Sequence, residues 1–154
     1  MLIASNSSFV ITSRDPNARL ALRWTRPAYL EVVLEDQGLR AQSEIHAVVS
    51  GPDNLPTKFF IDLAESWRGW RGTKDWQSYE RDWTLSATAD GKGHVFLLVG
   101  LAAGASDDQW RVQTTLVLEA GQLEEYSRSF RAFSDAAPRA AEQAPEADGS
   151  RRLR

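Results

Sequence analysis

The sequence predicts an α+β fold, an antiparallel β-sheet with two amphipathic helices packed on one face. Three observations predict it. Apolar and polar residues alternate with period two over residues 9–49 and again over 76–119, two other stretches repeat apolar residues at helical intervals, and the order is strands, helix, strands, helix. No internal repeat recurs at a fixed period.

The first strands are predicted at 9–12, 20–24, 29–35 and 39–49. The last two read as a hairpin. Leu30, Val32 and Leu34 share one face of the first, Leu39, Ala41, Ile45, Ala47 and Val49 share one face of the second, and Asp36-Gln37-Gly38 supplies the turn. A helix is expected over 54–69, with Asn54 as N-cap and Pro56 tolerated in the first turn. Phe60, Leu63, Trp67 and Trp70 would form its buried stripe, and Lys58 with Asp62 and Glu65 with Arg68 would pair on its wet side.

After a turn at 72–75, strands are predicted at 76–89, with a break near Glu80-Arg81, at 94–102 and at 109–119. Asp90-Gly91-Lys92-Gly93 is a strong hairpin signal. In the 94–102 strand, Val95, Leu97, Val99 and Leu101 alternate with Phe96 and Leu98, so both faces are apolar and the strand belongs at the centre of a sheet. A second helix over 122–133 places Leu123, Tyr126, Phe130 and Phe133 on one stripe.

A chain of 154 residues fits one domain, read here as 1–135, that can bury a sizeable core without staples. Residues 136–154 hold a single large apolar residue, Leu153, and are expected to form a disordered tail. The absence of cysteine excludes a disulfide framework, a thiolate zinc site and a cysteine nucleophile, and it fits a reducing, cytoplasmic setting. No run approaches the roughly 20 apolar residues of a membrane span, and the start lacks the marks of an export signal. The expectation is no membrane.

The tail carries four Arg against three acids, so the total charge of −3 leaves −4 on the body. Such a body lacks the basic footprint that nucleic acid demands, and a basic partner suits it better.

The chemistry-bearing residues are few. Neither His46 nor His94 has a second ligand at metal spacing, so no metal is expected. His94 follows a glycine turn within reach of Asp90, which allows either a general acid/base pair or a plain turn-edge histidine, and His46 alternates toward the polar face of its strand. Serine-nucleophile, phosphate-loop and dinucleotide patterns are absent, so neither acyl transfer nor a nucleotide cofactor is expected. Asp62, Glu65, Glu80, Asp82, Asp107 and Asp108 could serve hydrolysis only if two were held in a cleft at defined separation. No cofactor and no catalysis are predicted.

Four tryptophans, Trp67, Trp70, Trp76 and Trp83, fall within seventeen residues, interleaved with Arg68, Arg71, Lys74 and Arg81. Trp and Arg supply most hot spots of protein interfaces, although Trp is also an ordinary core residue. The helix stripe makes Trp67 core, and Trp83 shares a strand face with Leu85 and Ala87. Trp70 and Trp76 flank a glycine-containing turn, where rings either cover the edge of a core or meet a partner. Trp70, Arg71, Lys74 and Trp76 are therefore the candidate partner-binding residues.

The run 59–70, the strand leading into Trp83-Thr84-Leu85-Ser86-Ala87-Thr88, the Asp-Gly-Lys-Gly-His-Val turn at 90–95 and the closing Phe130-Arg131-Ala132-Phe133 resemble a bacterial family catalogued as a domain of unknown function. More distantly, this order is similar to the immunity proteins of wall-associated polymorphic toxins. The resemblance covers about residues 28–134. It implies a small cytoplasmic protein that binds and neutralises a toxin domain by occluding its active site, with a basic toxin domain as the partner. It carries over no catalytic residue. The competing expectations are a ligand-binding or enzymatic pocket between sheet and helices near His94, and a constitutive subunit of a larger complex.

Overall fold

The computed structural model describes residues 7–47 and 54–138. Among the described residues, eight strands and two helices follow one another in the expected order: β1 (Ser8–Thr12), β2 (Arg19–Arg26), β3 (Tyr29–Asp36), β4 (Leu39–His46), α1 (Thr57–Glu65), β5 (Lys74–Gln77), β6 (Trp83–Ala89), β7 (His94–Ala102), β8 (Arg111–Glu119) and α2 (Leu123–Asp135). The α+β class holds, with the strands dealt into two sheets. Each is a four-stranded antiparallel meander, one ordered β1-β2-β3-β4 and the other β5-β6-β7-β8. The physical reason lies in the connection. The chain leaves β4, forms α1, and then begins a second meander in which β5 pairs with β6 alone.

Each sheet buries one face, as period-two alternation requires. Leu20 and Leu22 of β2, with Leu30, Val32 and Leu34 of β3, line the first inner face, while Leu85 and Ala87 of β6, with Leu97 and Val99 of β7, line the second. All belong to one core. Burying a large aliphatic side chain contributes about 1.5–3 kcal/mol, so these two rows account for much of the stability. β7 lies between β6 and β8, as its apolar composition predicts, yet its outward face is not covered: Phe96 is half-buried and Leu98 is exposed.

The sheets are joined at a corner by polar links. Ser13, just after β1, accepts the Val117 N–H of β8 through its hydroxyl at 2.9 Å, and the Arg14 N–H donates to the Val117 carbonyl at 2.9 Å. Thr114 donates its hydroxyl to the Asp36 carboxylate, a contact that holds that carboxyl below the usual range with help from the Gln37 N–H. The helices pack on one another and α2 packs on β1. An aromatic cluster fills that junction, Phe9 lying edge-on to Phe60 and Phe130 with centroids 5.6 and 5.1 Å apart.

α1 is shorter than the expected 54–69. Pro56 occupies the N-cap position without a side-chain cap. Asn54 acts instead as a strut: its amide donates to the His46 carbonyl at 2.8 Å and its side-chain oxygen accepts the Tyr79 N–H at 2.7 Å. Asp62 pairs with Lys74 of β5 at 3.0 Å rather than with Lys58. Among the described residues Glu65 and Arg68 form no ion pair with each other, because Arg68 lies beyond the helix end. α2 matches expectation, entered through a 3-10 turn at Ala120–Gln122 that carries a reciprocal Glu119–Gln122 cap.

β4 ends at His46, and Val48, Val49 and the expected tail from residue 139 onward lie outside the described residues. Among the described residues, no helix is long and apolar enough to cross a membrane.

Candidate functional site

The tryptophan-rich segment forms the loop between α1 and β5 and the start of β5. Its path is set by two glycines in left-handed backbone, Gly69 at φ +115° and Gly72 at φ +79°, where a side chain would be strained. Helix α1 stops at Glu65, so the seven-residue repeat from Phe60 no longer governs Trp67. Trp67 is 53% exposed, which corrects the expectation that it is core. The Arg68 guanidinium lies 5.0 Å from the centre of its ring.

The other members of the segment face different ways. Trp70 is half-buried against the core, and its indole nitrogen is buried without a protein partner among the described residues. The Lys74 ammonium sits 5.3 Å from the Trp70 ring centre while holding Asp62. Trp76 is half-buried and meets the fully buried Trp83 edge to face at 5.0 Å. Arg71 is exposed and makes no ion pair among the described residues. Of the four candidate residues, Trp70 and Trp76 thus lid the core edge, Lys74 ties β5 to α1, and Arg71 faces solvent.

The loop lies beside the β6–β7 hairpin. A Cβ added at Gly69 would stand 3.8 Å from the Gly91 Cα. That approach sets the loop of Trp67, Arg68 and Arg71 beside the turn bearing Asp90, Lys92 and His94, two segments that sequence alone kept apart. Asp90 organises the turn. Its Oδ1 accepts the N–H groups of Lys92 and His94 at 2.7 and 3.1 Å, and its Oδ2 lies 2.8 Å from His94 Nδ1. The Lys92 N–H, foremost, together with the His94 contacts holds the Asp90 carboxyl down at about 2. The other ring nitrogen of His94 is 3.4 Å from Arg14 and 3.9 Å from Glu119. Both ring nitrogens of His94 therefore engage protein groups. Two surface concavities of about 560 and 600 Å³ lie elsewhere, the first against Tyr126 and Arg128 and the second against Tyr79 and Arg111.

Residues 13–137 match a protein family described as a family of unknown function, DUF6228. The chain belongs to DUF6228. The match takes in every strand from β2 onward and both helices, so it adds β2 to the 28–134 of the sequence resemblance and leaves β1 outside. No curated protein and no solved structure matches the chain.

Within this DUF6228 fold, three features were missed. Tyr79 is 73% exposed at the tip of the β5–β6 turn, and Trp110 is 44% exposed before β8. The Ser78-x-x-x-Asp82 spacing was the available signal, since Ser78 donates to Asp82 at 2.6 Å and fixes that turn. On the outer face of the first sheet, the exposed His46 stacks on Tyr29 at 4.7 Å, whose ring also carries the Arg26 guanidinium at 3.8 Å. His46 faces solvent as its alternation predicts.

Proposed function

We propose that this DUF6228 chain is a non-catalytic protein-binding domain that meets its partner through the loop at 66–73 and the adjoining 90–94 turn. The observation that carries this reading is Trp67, displayed to solvent with Arg68 over its ring on a loop whose neighbours, Trp70 and Trp76, anchor it in the core. An exposed aromatic on a firmly held loop loses little freedom on binding, which is what a hot spot requires. Arg71 on the same loop and Lys92 on the adjoining turn form no ion pair among the described residues, which favours an acidic partner surface facing this loop. The chain's net charge of −3 favours a partner that is basic as a whole.

The narrower reading, an immunity protein that occludes a basic toxin domain, rests on the resemblance over residues 28–134 and on that net charge. A role as a fixed subunit of a larger complex would use the same surface.

The test is capture from native lysate using the full chain and a Trp67→Ser/Arg71→Glu variant. One near-stoichiometric partner retained by the native chain and lost by the folded variant supports the surface. Equal capture by both, or none by either, overturns it. If the partner is toxic when expressed alone and harmless when co-expressed with this chain, the immunity reading stands; a harmless partner refutes it.

A further inference from the structure

The two sheets differ on their outer faces. The first carries a lattice of ion pairs: Arg23 with Glu31 at 3.0 Å, Arg26 with Glu44 at 3.1 Å, and Glu35 between Arg19 and Arg40 at 3.5 and 3.0 Å. The register sets Arg23 opposite Glu31 and Glu35 opposite both Arg19 and Arg40, while Arg26 reaches past β3 to Glu44. The second sheet is nearly uncharged outside. Gln77, Thr84, Gly100 and Gln113 form one cross-strand row, and Asp75, Ser86, Leu98 and Thr115 the next.

At the end of that face stand two arginines, Arg81 and Arg111, neither of which has an ion pair or a side-chain hydrogen bond among the described residues. They line the same concavity of about 160 Å³, together with Thr84, Gly100 and Gln113 and no carboxylate. The Thr84 side chain lies over Gly100, where a Cβ would stand 2.4 Å from its hydroxyl. The concavity continues into the wider groove of about 600 Å³, where Gln77, Tyr79, Glu80 and Asp107 also contribute.

Arg81 is held there against its preference. Its φ of +63° lies in the left-handed region, which is unfavourable for a residue with a side chain. The surrounding turn over-determines it. Ser78 donates to Asp82 at 2.6 Å and accepts the Trp83 N–H at 3.1 Å through its hydroxyl, the Arg81 N–H donates to the Ser78 carbonyl at 2.9 Å, and Asn54 accepts the Tyr79 N–H. Two arginines without an ion pair thus line this concavity, and an anion held there would gain charge-assisted hydrogen bonds from both.

We infer that the concavity between Arg81 and Arg111 is a binding site for an oxyanion, the phosphate or carboxylate group of a small polar molecule. Thr84 and Gln113 supply neutral donors to the anionic group. The rest of the ligand extends along Tyr79 and Gln77, where Glu80 and Asp107 accept hydrogen bonds from its hydroxyl or amino groups. This site is independent of the Trp67 loop.

The test uses the full chain labelled with nitrogen-15, titrated at constant ionic strength with inorganic phosphate, with glutarate, and with chloride as control. The expected result is saturable displacement of the Thr84, Gly100 and Gln113 amide signals by phosphate, glutarate or both, and none by chloride. Arg111→Gln and Arg81→Asn, the latter suited to left-handed backbone, each weaken that binding about tenfold or more while leaving distant signals in place. Arg111 lies on an exposed strand position, so its variant stands alone should Arg81→Asn perturb the turn. Saturation by phosphate only identifies a phosphate ligand, and by glutarate only a carboxylate. No saturable response to either anion, equal response to chloride, or unchanged affinity in Arg111→Gln overturns the assignment.

Discussion

Trp24 donates its indole N–H to the main-chain carbonyl of Phe133 at 2.9 Å and stacks on the ring of that same residue, centroids 5.1 Å apart. A residue of β2 thereby closes the last turn of α2, 109 positions away in the chain. Trp83 is the opposite case. It is completely buried, yet its indole N–H has no protein partner among the described residues. Trp24→Phe removes a made hydrogen bond, a loss of about 1 kcal/mol beyond packing, whereas Trp83→Phe removes a buried donor that is unsatisfied and recovers part of its desolvation cost. Urea unfolding should show Trp24→Phe as the more destabilising of the two, although Trp24 is the more exposed residue. The reverse order would show that the cavity left at Trp83 outweighs the relief of its unsatisfied donor.

Trp67→Ala should leave stability within about 0.5 kcal/mol, as surface changes do, while Trp70→Ala and Trp76→Ala should each cost roughly 2–3 kcal/mol by opening the core edge. Thermal unfolding of the three variants checks this. A large loss for Trp67→Ala would mean that its ring is covered.

Asp90 makes the fold acid-sensitive. Its carboxyl ionises at about 2 in the folded chain against an ordinary 3.8, so it contributes stability that is fully present above about pH 4 and is lost as pH falls toward 2. Glu44, held low by Arg26, and Glu125, held low by Arg128, act in the same direction. Asp90→Asn should flatten the fall in melting temperature between pH 4 and pH 2. An unchanged acid slope would assign that limb to the other carboxylates.

Asn54→Ala removes both side-chain bonds of the strut between the end of β4 and the β5–β6 turn, and should cost about 1–3 kcal/mol. Hydrogen exchange at the Tyr79 amide, which donates to Asn54, should rise in this variant well before exchange in β7 does. Uniform acceleration across the chain would mean that Asn54 supports the whole fold rather than this turn.

Much of this architecture is legible in the sequence, because alternation fixes which side of a strand is buried. Leu30, Val32 and Leu34 announce their face, and Val95 to Leu101 announce a central strand. Alternation carries no information about partners, so the division into two sheets was hidden: nothing in residues 74–77 says that they pair with β6 and leave β4 alone. The site was legible only as composition. Trp67 continued the rhythm of Phe60 and Leu63, and the local signal against it, Gly69 and Gly72, lay just downstream. The groove at Arg81 and Arg111 joins residues thirty positions apart and has no sequence spacing to reveal it.

The strictly sequential order within each sheet has a kinetic consequence. Every strand pair within a meander is between chain neighbours, so each half can zip by short loop closures with little entropy lost before contacts form. The links between halves are of another kind: Ser13 to Val117 spans 104 positions and Trp24 to Phe133 spans 109. The long-range closures of this chain are therefore the ones that join the two meanders, and it is these that shield the inner face of each.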